Sequence, residues 1–170
     1  MPEFLGPSQI KKLLTSTLVS QTFLGVDVGS SCVGLAIAQH GTKMAFPLSW
    51  FKRRNPLEDA RVVHDILIAN GVDVCVFGYP LTLQGGEGEN CRNVALFVRG
   101  LQQQGVFLDT KVHSCLFWDE RFSTQMAKRV VLRTRQNLRD LRDPTKDEMK
   151  KEVDKYSAAF LLQTVLDRFP

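Results

Sequence analysis

The alternation of apolar and polar positions predicts a β-hairpin in the first quarter of the chain. Residues 23–28 and 33–38 form two short apolar runs joined by Gly-Ser-Ser-Cys, a pattern typical of two strands and a tight turn. A third apolar run at 43–49 contains Pro47, which cannot donate a ladder hydrogen bond and indicates an edge strand or a strand end. Because the links between the runs are short, we expect antiparallel pairing.

Helical and extended patterns alternate after this hairpin. Residues 57–70 and 90–104 carry apolar residues at helical spacing, and each stretch ends at a glycine, a common helix stop. The run at 72–77 is continuously apolar around Asp73, as expected for a buried parallel strand, and 111–118 is expected to form another strand. The sequence therefore predicts two strands that are each reached through a helix.

The last third of the chain begins with a different composition. Residues 133–151 are dense in both charges and are interrupted by Pro144, which predicts a mobile, solvated segment. A short helix capped by Ser123 or Thr124 is expected before it. A final helix is expected at 152–169, where apolar residues return at helical spacing.

The order of elements, β-β-β-α-β-α-β-α-α, predicts an α/β fold. We expect a mixed five-stranded sheet in the order 3-2-1-4-5, flanked by helices on both faces. A chain of 170 residues is long enough for one domain with its own core. We assign that domain to residues 22–170. Residues 1–21 form an N-terminal extension, which could derive in part from an expression vector or from a processed targeting segment.

Composition narrows the functional classes only slightly. Hydrophobic residues make up 44% and charged residues 24% of the chain, and no apolar run approaches the roughly 20 residues of a membrane span. We therefore expect no membrane partner. The net charge of +4 is compatible with a polyanionic partner. Four cysteines without Cys-x-x-Cys spacing argue against a zinc site and indicate a reducing compartment: the cytoplasm, or a plastid or mitochondrial matrix if the N-terminus is a processed remnant.

Acidic residues supply the candidate chemistry. Asp27 interrupts the apolar central strand, where an unpaired carboxylate is costly to bury; alternatively, it only accepts hydrogen bonds from the amides of the following turn. Asp119 and Glu120 follow a parallel strand, at the sheet edge where sites form, and the final helix can bring Asp154 to the same edge. Carboxylates crowded in this way favour a hard cation, Mg²⁺ or Mn²⁺. Two such ions can activate water for phosphodiester hydrolysis.

Four sequence blocks together resemble the YqgF/RuvX family of pre-16S rRNA nucleases and Holliday junction resolvases. In chain order the blocks are Phe23-Leu-Gly-Val-Asp-Val-Gly, Val76-Phe-Gly-Tyr-Pro-Leu81, Asp119-Glu-Arg-Phe-Ser-Thr124 and Lys151-Glu-Val-Asp-Lys-Tyr-Ser-Ala-Ala159. The resemblance implies an RNase H-like fold and metal-dependent hydrolysis of nucleic acid, with rRNA precursor processing as the leading function. The chain departs from the family at Tyr79, where an aliphatic residue is common, and in its longer segment 133–150.

The resemblance also implies the site residues. Asp27 matches the first acid of the family and Asp154 the last, and both would bind metal and act in catalysis. The middle acid is Asp119 or Glu120; strand alternation sends these two side chains to opposite faces, so both stay open. Contacts to nucleic acid are expected from basic residues near the acids, although a salt bridge or a solvated helix face would explain them equally well. These residues are Arg121, Lys128, Arg129 and Lys151.

Other functions remain open at this stage. A junction resolvase acting on branched DNA would make paired cuts and would require a homodimer. A non-catalytic nucleic-acid-binding module of the same fold would not need three acids facing phosphates. The first block alone is also similar to actin-like ATPases, but the chain is too short for their two-domain architecture.

Overall fold

A computed structural model describes most of the chain. The described residues are 2–5, 9, 20–82, 86–119 and 146–168, and in the last of these segments side chains are described from Val153 onward. The predicted helix that starts near Thr124, and the charged segment from 133 to 145, lie outside these ranges.

The described strands form one mixed sheet of six. They are β1 (Glu3–Phe4), β2 (Phe23–Val28), β3 (Cys32–Ala38), β4 (Phe46–Lys52), β5 (Val74–Gly78) and β6 (Ser114–Trp118), in the order β1-β6-β5-β2-β3-β4. Strands β2, β3 and β4 pair antiparallel, whereas β5 pairs parallel to β2 and β6, and β1 parallel to β6. The neighbours predicted for the five longer strands are confirmed.

Strand β1 corrects the predicted strand number from five to six. Glu3 and Phe4 pair with Ser114 and Cys115 of β6 and so protect one edge of the sheet. A strand of two residues shows no alternation, and the sequence pattern therefore gave no signal for it.

Strands β4, β5 and β6 all start later than predicted, β6 at Ser114 rather than at residue 111, and side-chain hydrogen bonds accompany the late start of the other two. Strand β4 starts at Phe46 rather than near residue 43, because the side chain of Gln163 accepts a hydrogen bond from Ala45 N (2.9 Å) and donates one to Lys43 O (3.0 Å). Strand β5 starts at Val74 rather than at residue 72, and the carboxylate of Asp73 just before it accepts a hydrogen bond from Thr22 N (2.8 Å). In both places a side chain satisfies backbone groups that ladder bonds would otherwise have used.

Three helices are described: α1 (Pro56–Asn70), α2 (Glu89–Gln103) and α3 (Lys146–Arg168). Helix α1 is capped by Asn55, whose side chain accepts a bond from Glu58 N, and it ends at Gly71 in the left-handed conformation. Helix α3 begins at Lys146, so residues 146–151 are helical and not part of a mobile segment as predicted. Lys, Glu and Met favour helix even where no apolar face marks it. No helix within the described ranges has the length and apolar character of a membrane span.

The sheet is covered on both faces, as predicted. Helices α1 and α2 cover one face, which buries Leu24, Val26, Leu35 and Phe77. Helix α3 covers the other face with Ala158, Leu161, Leu162 and Val165 over small and apolar residues of the central strands. The alternation of β2 therefore divides its side chains between two cores, and Asp27 falls on the α3 face with Phe23 and Gly25.

Candidate active site

Two glycines let α3 lie directly on the backbone of the central strands. A Cβ at Gly25 would lie 2.9 Å from the Cβ of Leu162 and 3.0 Å from the carbonyl oxygen of Ala158. A Cβ at Gly34 would collide with the carbonyl oxygen of Asp154. Only glycine fits at these two positions. Because glycine has no side chain, α3 packs closer to the sheet here than it could over any other residue.

This close approach brings two predicted acids together. Asp27 of β2 is paired across the ladder with Gly34 of β3. The carbonyl oxygen of Asp154 in α3 lies against the same Gly34. Both acidic residues are half-buried. Asp27 and Asp154 therefore lie together on one face of the sheet, as predicted.

The electrostatics of the pair are those of two carboxylates in one site. Burial, followed by the negative charge of Asp154, raises the pKa of Asp27 from its ordinary value of 3.8 to about 7. Ser157, one turn further along α3, is completely buried, and its hydroxyl offsets part of this rise in the pKa. Near neutral pH the pair therefore holds a proton more readily than ordinary carboxylates do, and a cation would relieve the same repulsion.

Asp119, one of the two candidates for the third acid, lies at the same end of the parallel strands. Val26, Phe77 and Phe117 form one row across β2, β5 and β6, and Asp119 lies two residues after Phe117, directly past the end of β6. Two strand spacings separate β6 from β2, a distance of about 10 Å. Asp119 is exposed.

The last residues of β6 alternate between the two faces of the sheet. Trp118 packs with the α3 core, and its Nε1 donates a hydrogen bond to Thr164 of that helix (3.1 Å). Phe117 packs on the opposite side, with the α1 and α2 core. If this alternation continues past the end of β6, it directs residue 119 to the side of Phe117.

The remaining predicted site residues are not described. Glu120, Arg121, Lys128 and Arg129 lie outside the described ranges, and Lys151 lies in α3 with its side chain outside them. Within the described ranges no three potential metal-ligating side chains come together. Among the predicted site residues that the structure describes, Asp27 and Asp154 are the two that lie together. Their oxygen donors are the kind that Mg²⁺ and Mn²⁺ prefer, so the residues present fit such an ion.

The turn that follows Asp27 is held by an arginine that the sequence analysis did not single out. Arg53 Nη1 donates to the carbonyl oxygen of Gly29 (3.2 Å) and to Asn93 Oδ1 (2.7 Å), and Arg53 N donates to Ser31 O (2.9 Å). Its Nε lies 3.7 Å from the buried carboxylate of Asp59. In the sequence, Arg53 is one of several polar residues after β4. Nothing in that pattern marks a contact with a turn 24 residues earlier.

The fold and the acid pair define an RNase H-like α/β protein with a carboxylate site at the edge of its central strand. Among solved structures, RuvC of Thermus thermophilus is similar over 86% of this chain and 95% of its own, with a TM-score of 0.50 and 15% sequence identity. At this identity the likeness shows the fold alone.

The family follows from sequence comparison. The model of the RuvX family, described as Holliday junction resolvase, matches residues 21–168, and the chain belongs to this family. A relative from Bartonella quintana is 30% identical over 94% of this chain and 91% of its own length. Another, from Paramagnetospirillum magneticum, is 31% identical over 96% and 94%. Both carry the name "Putative pre-16S rRNA nuclease".

Proposed function

We propose that the protein is a metal-dependent nuclease that hydrolyses phosphodiester bonds of structured nucleic acid, with an rRNA precursor as its substrate. The observation that carries the proposal is the apposition of Asp27 and Asp154 on two elements that are distant in sequence. A structural role would not require two like charges to share a half-buried position, because their repulsion and desolvation destabilise the folded state. The names of the relatives support RNA as the substrate class.

The acid pair would hold one or two Mg²⁺ or Mn²⁺ ions. When bound, such ions neutralise developing negative charge and assist the attack of water on a phosphodiester. The protein's own contribution is placement: Gly34 lets α3 bring Asp154 beside Asp27, and the buried Ser157 hydroxyl lowers the pKa of Asp27. Arg53 holds the turn beyond Asp27, which limits the movement of that end of β2.

We assign the third acidic position to Glu120 rather than Asp119. Trp118 faces α3, and a strand repeats its facing every second residue. The assignment rests on this repeat and on the sequence order, since Glu120 lies outside the described residues.

Cleavage assays with two substrates test the proposal. Labelled RNA spanning a pre-16S rRNA end and a labelled four-way DNA junction are each incubated with Mg²⁺, Mn²⁺ or EDTA. We expect metal-dependent cleavage of the RNA, lowered by about two orders of magnitude in Asp27→Asn. Asp65→Asn, which removes an exposed acid of α1, should keep full activity. Equal cleavage by wild type and Asp27→Asn would overturn the mechanism.

The junction substrate tests the second candidate, which the family description favours. Paired symmetric cuts in the junction, without cleavage of the RNA, would replace the rRNA assignment by junction resolution. That activity would also require two copies of the chain acting together, which sedimentation analysis with the junction bound can establish. Binding of either substrate without cleavage under any metal condition would instead indicate a non-catalytic module.

A further inference from the structure

A second candidate site lies on the face of the sheet opposite α3. A cavity of about 660 Å³ opens between the β2–β3 turn and helices α1 and α2. Its volume lies within the usual range of small-ligand sites, roughly 300–1,000 Å³. The lining includes Ser30, Arg53, Arg54, Asn93, Leu96 and Arg99.

The charge of this cavity is suited to an anion. Its carboxylate, Asp59, is buried and already accepts a hydrogen bond from Arg54 N (2.9 Å), with Arg53 Nε 3.7 Å away. The guanidinium of Arg54 is paired with Glu58 (3.0 Å). Arg99 is exposed and has no ion pair among the residues that the structure describes. A guanidinium in this setting can bind a phosphate through two parallel hydrogen bonds.

The rest of the lining is suited to a nucleoside. Leu96 is 66% exposed and provides apolar surface that a base can cover. Ser30 and Asn93 add a hydroxyl and an amide that can bind sugar or base-edge groups. Apolar surface, neutral hydrogen-bonding groups and one uncompensated guanidinium together match a single nucleotide, and a base-paired duplex does not fit a cavity of this size.

The cavity is connected to the acid pair through the β2–β3 turn. Ser30 lines the cavity and follows Asp27 by three residues, so this rim of the cavity lies within about 10 Å of the Asp27 backbone, although the two sites open on opposite faces of the sheet. Arg53 joins the two places, because it lines the cavity and donates to Gly29 O in the turn.

We propose that this cavity binds one nucleotide of a single-stranded segment whose neighbouring phosphates extend toward the acid pair. The direction of the neighbouring phosphates rests on the proposed function, because that function places phosphodiester cleavage at the acid pair. Binding of the nucleotide in the cavity can be measured without cleavage. Arg99 would bind the phosphate, and the base would lie against Leu96.

The experiment measures binding of a fluorescein-labelled single-stranded RNA oligonucleotide by fluorescence anisotropy in EDTA, so that no cleavage occurs. For Arg99→Ala we expect a rise in Kd of about tenfold. The slope of log Kd against log salt concentration should fall by about 0.7, the value for one lost phosphate contact on a single strand. Uridine monophosphate should displace the RNA from wild type more effectively than from Arg99→Ala.

Arg61→Ala is the matched control, since Arg61 is an exposed arginine of the neighbouring helix that does not line this cavity. Its Kd should stay within about twofold of wild type. An unchanged Kd in Arg99→Ala, or an equal loss in Arg61→Ala, would overturn the inference. If Arg99→Ala weakens RNA binding and Arg61→Ala does not, but wild type never cleaves RNA, the result contradicts the proposed function alone. If wild type cleaves RNA but Arg99→Ala binds RNA as well as Arg61→Ala does, the result contradicts this inference alone.

Discussion

Gly34 of β3 lies against the carbonyl oxygen of Asp154, so that no side chain fits between the strand and the helix at this point. Because Gly34 is also the ladder partner of Asp27, one missing side chain brings the two acids together. The same contact makes the site sensitive to the packing of α3 on the sheet. Substitutions here should therefore change stability and activity together.

Gly34→Ala should lower the free energy of unfolding by about 1–3 kcal/mol, the usual cost of overpacking. It should also reduce cleavage, because the added methyl group pushes Asp154 away from Asp27. Urea unfolding and the cleavage assay measure the two effects. As a control for unfolding alone, because Gly100 lines the cavity between α1 and α2, Gly100→Ala adds a methyl group inside α2 with 3.7 Å to its nearest neighbour, and should be neutral or stabilising by about 0.5–1 kcal/mol. Unaltered stability and activity in Gly34→Ala would contradict the described packing.

Asp27→Asn should stabilise the metal-free protein above pH 7. The pKa of Asp27 is about 7 in the folded state against 3.8 ordinarily, so the folded protein binds more protons than the unfolded chain between these values. By linkage, the contribution of Asp27 to stability falls as pH rises from about 4 to 7 and is lowest above that. Because asparagine carries no charge, Asp27→Asn removes this loss of stability at high pH.

Urea unfolding in EDTA at pH 5 and pH 8 checks this prediction. The gain from Asp27→Asn should be larger at pH 8 than at pH 5, whereas Asp65→Asn should show no comparable difference. A variant less stable than wild type at pH 8 would mean that the Asp27 carboxylate is favourably bound in the folded protein.

The central hairpin illustrates what local pattern can predict. Residues 23–28 were predicted as a strand and form β2 with the same bounds, because alternation and a tight turn both act over a few residues. The convergence of Asp27 and Asp154 also followed from topology, since strand order and a returning helix leave few arrangements. The contact with Gly34 that sets their distance did not follow, because close packing between distant segments leaves no local signal.

The hydrogen bonds of Arg53 illustrate what local pattern does not predict. Arg53 reaches Gly29 and Asn93 across three separate elements, and each of these residues is unremarkable in its own sequence context. Helix α3 likewise begins six residues before its apolar pattern does, because helix propensity in a charged segment gives no periodicity. The first feature depends on hydrogen bonds between distant segments and the second on helix propensity. Neither produces a periodic pattern of apolar residues.

Glu120→Gln should reduce cleavage far more than Asp119→Asn. Trp118 packs on the α3 side, and the proposed assignment of the third acidic position to Glu120 rests on the two-residue repeat of a strand. Each substitution removes one charge and keeps side-chain size, so the pair forms its own control. Cleavage rates at saturating Mn²⁺ compare them, and a greater loss in Asp119→Asn would move the middle ligand to Asp119.

Mg²⁺ or Mn²⁺ should stabilise the folded protein through the acid pair. A ligand that binds only the folded state at ten times its Kd adds about 1.4 kcal/mol to the free energy of unfolding. The effect should be strongest above pH 7, because below it the proton on Asp27 competes with the cation. Thermal unfolding with and without the ion measures the shift, which should disappear in Asp27→Asn and persist in Asp65→Asn. A shift of equal size in all three proteins would place the cation elsewhere, and the acid pair would then need another explanation.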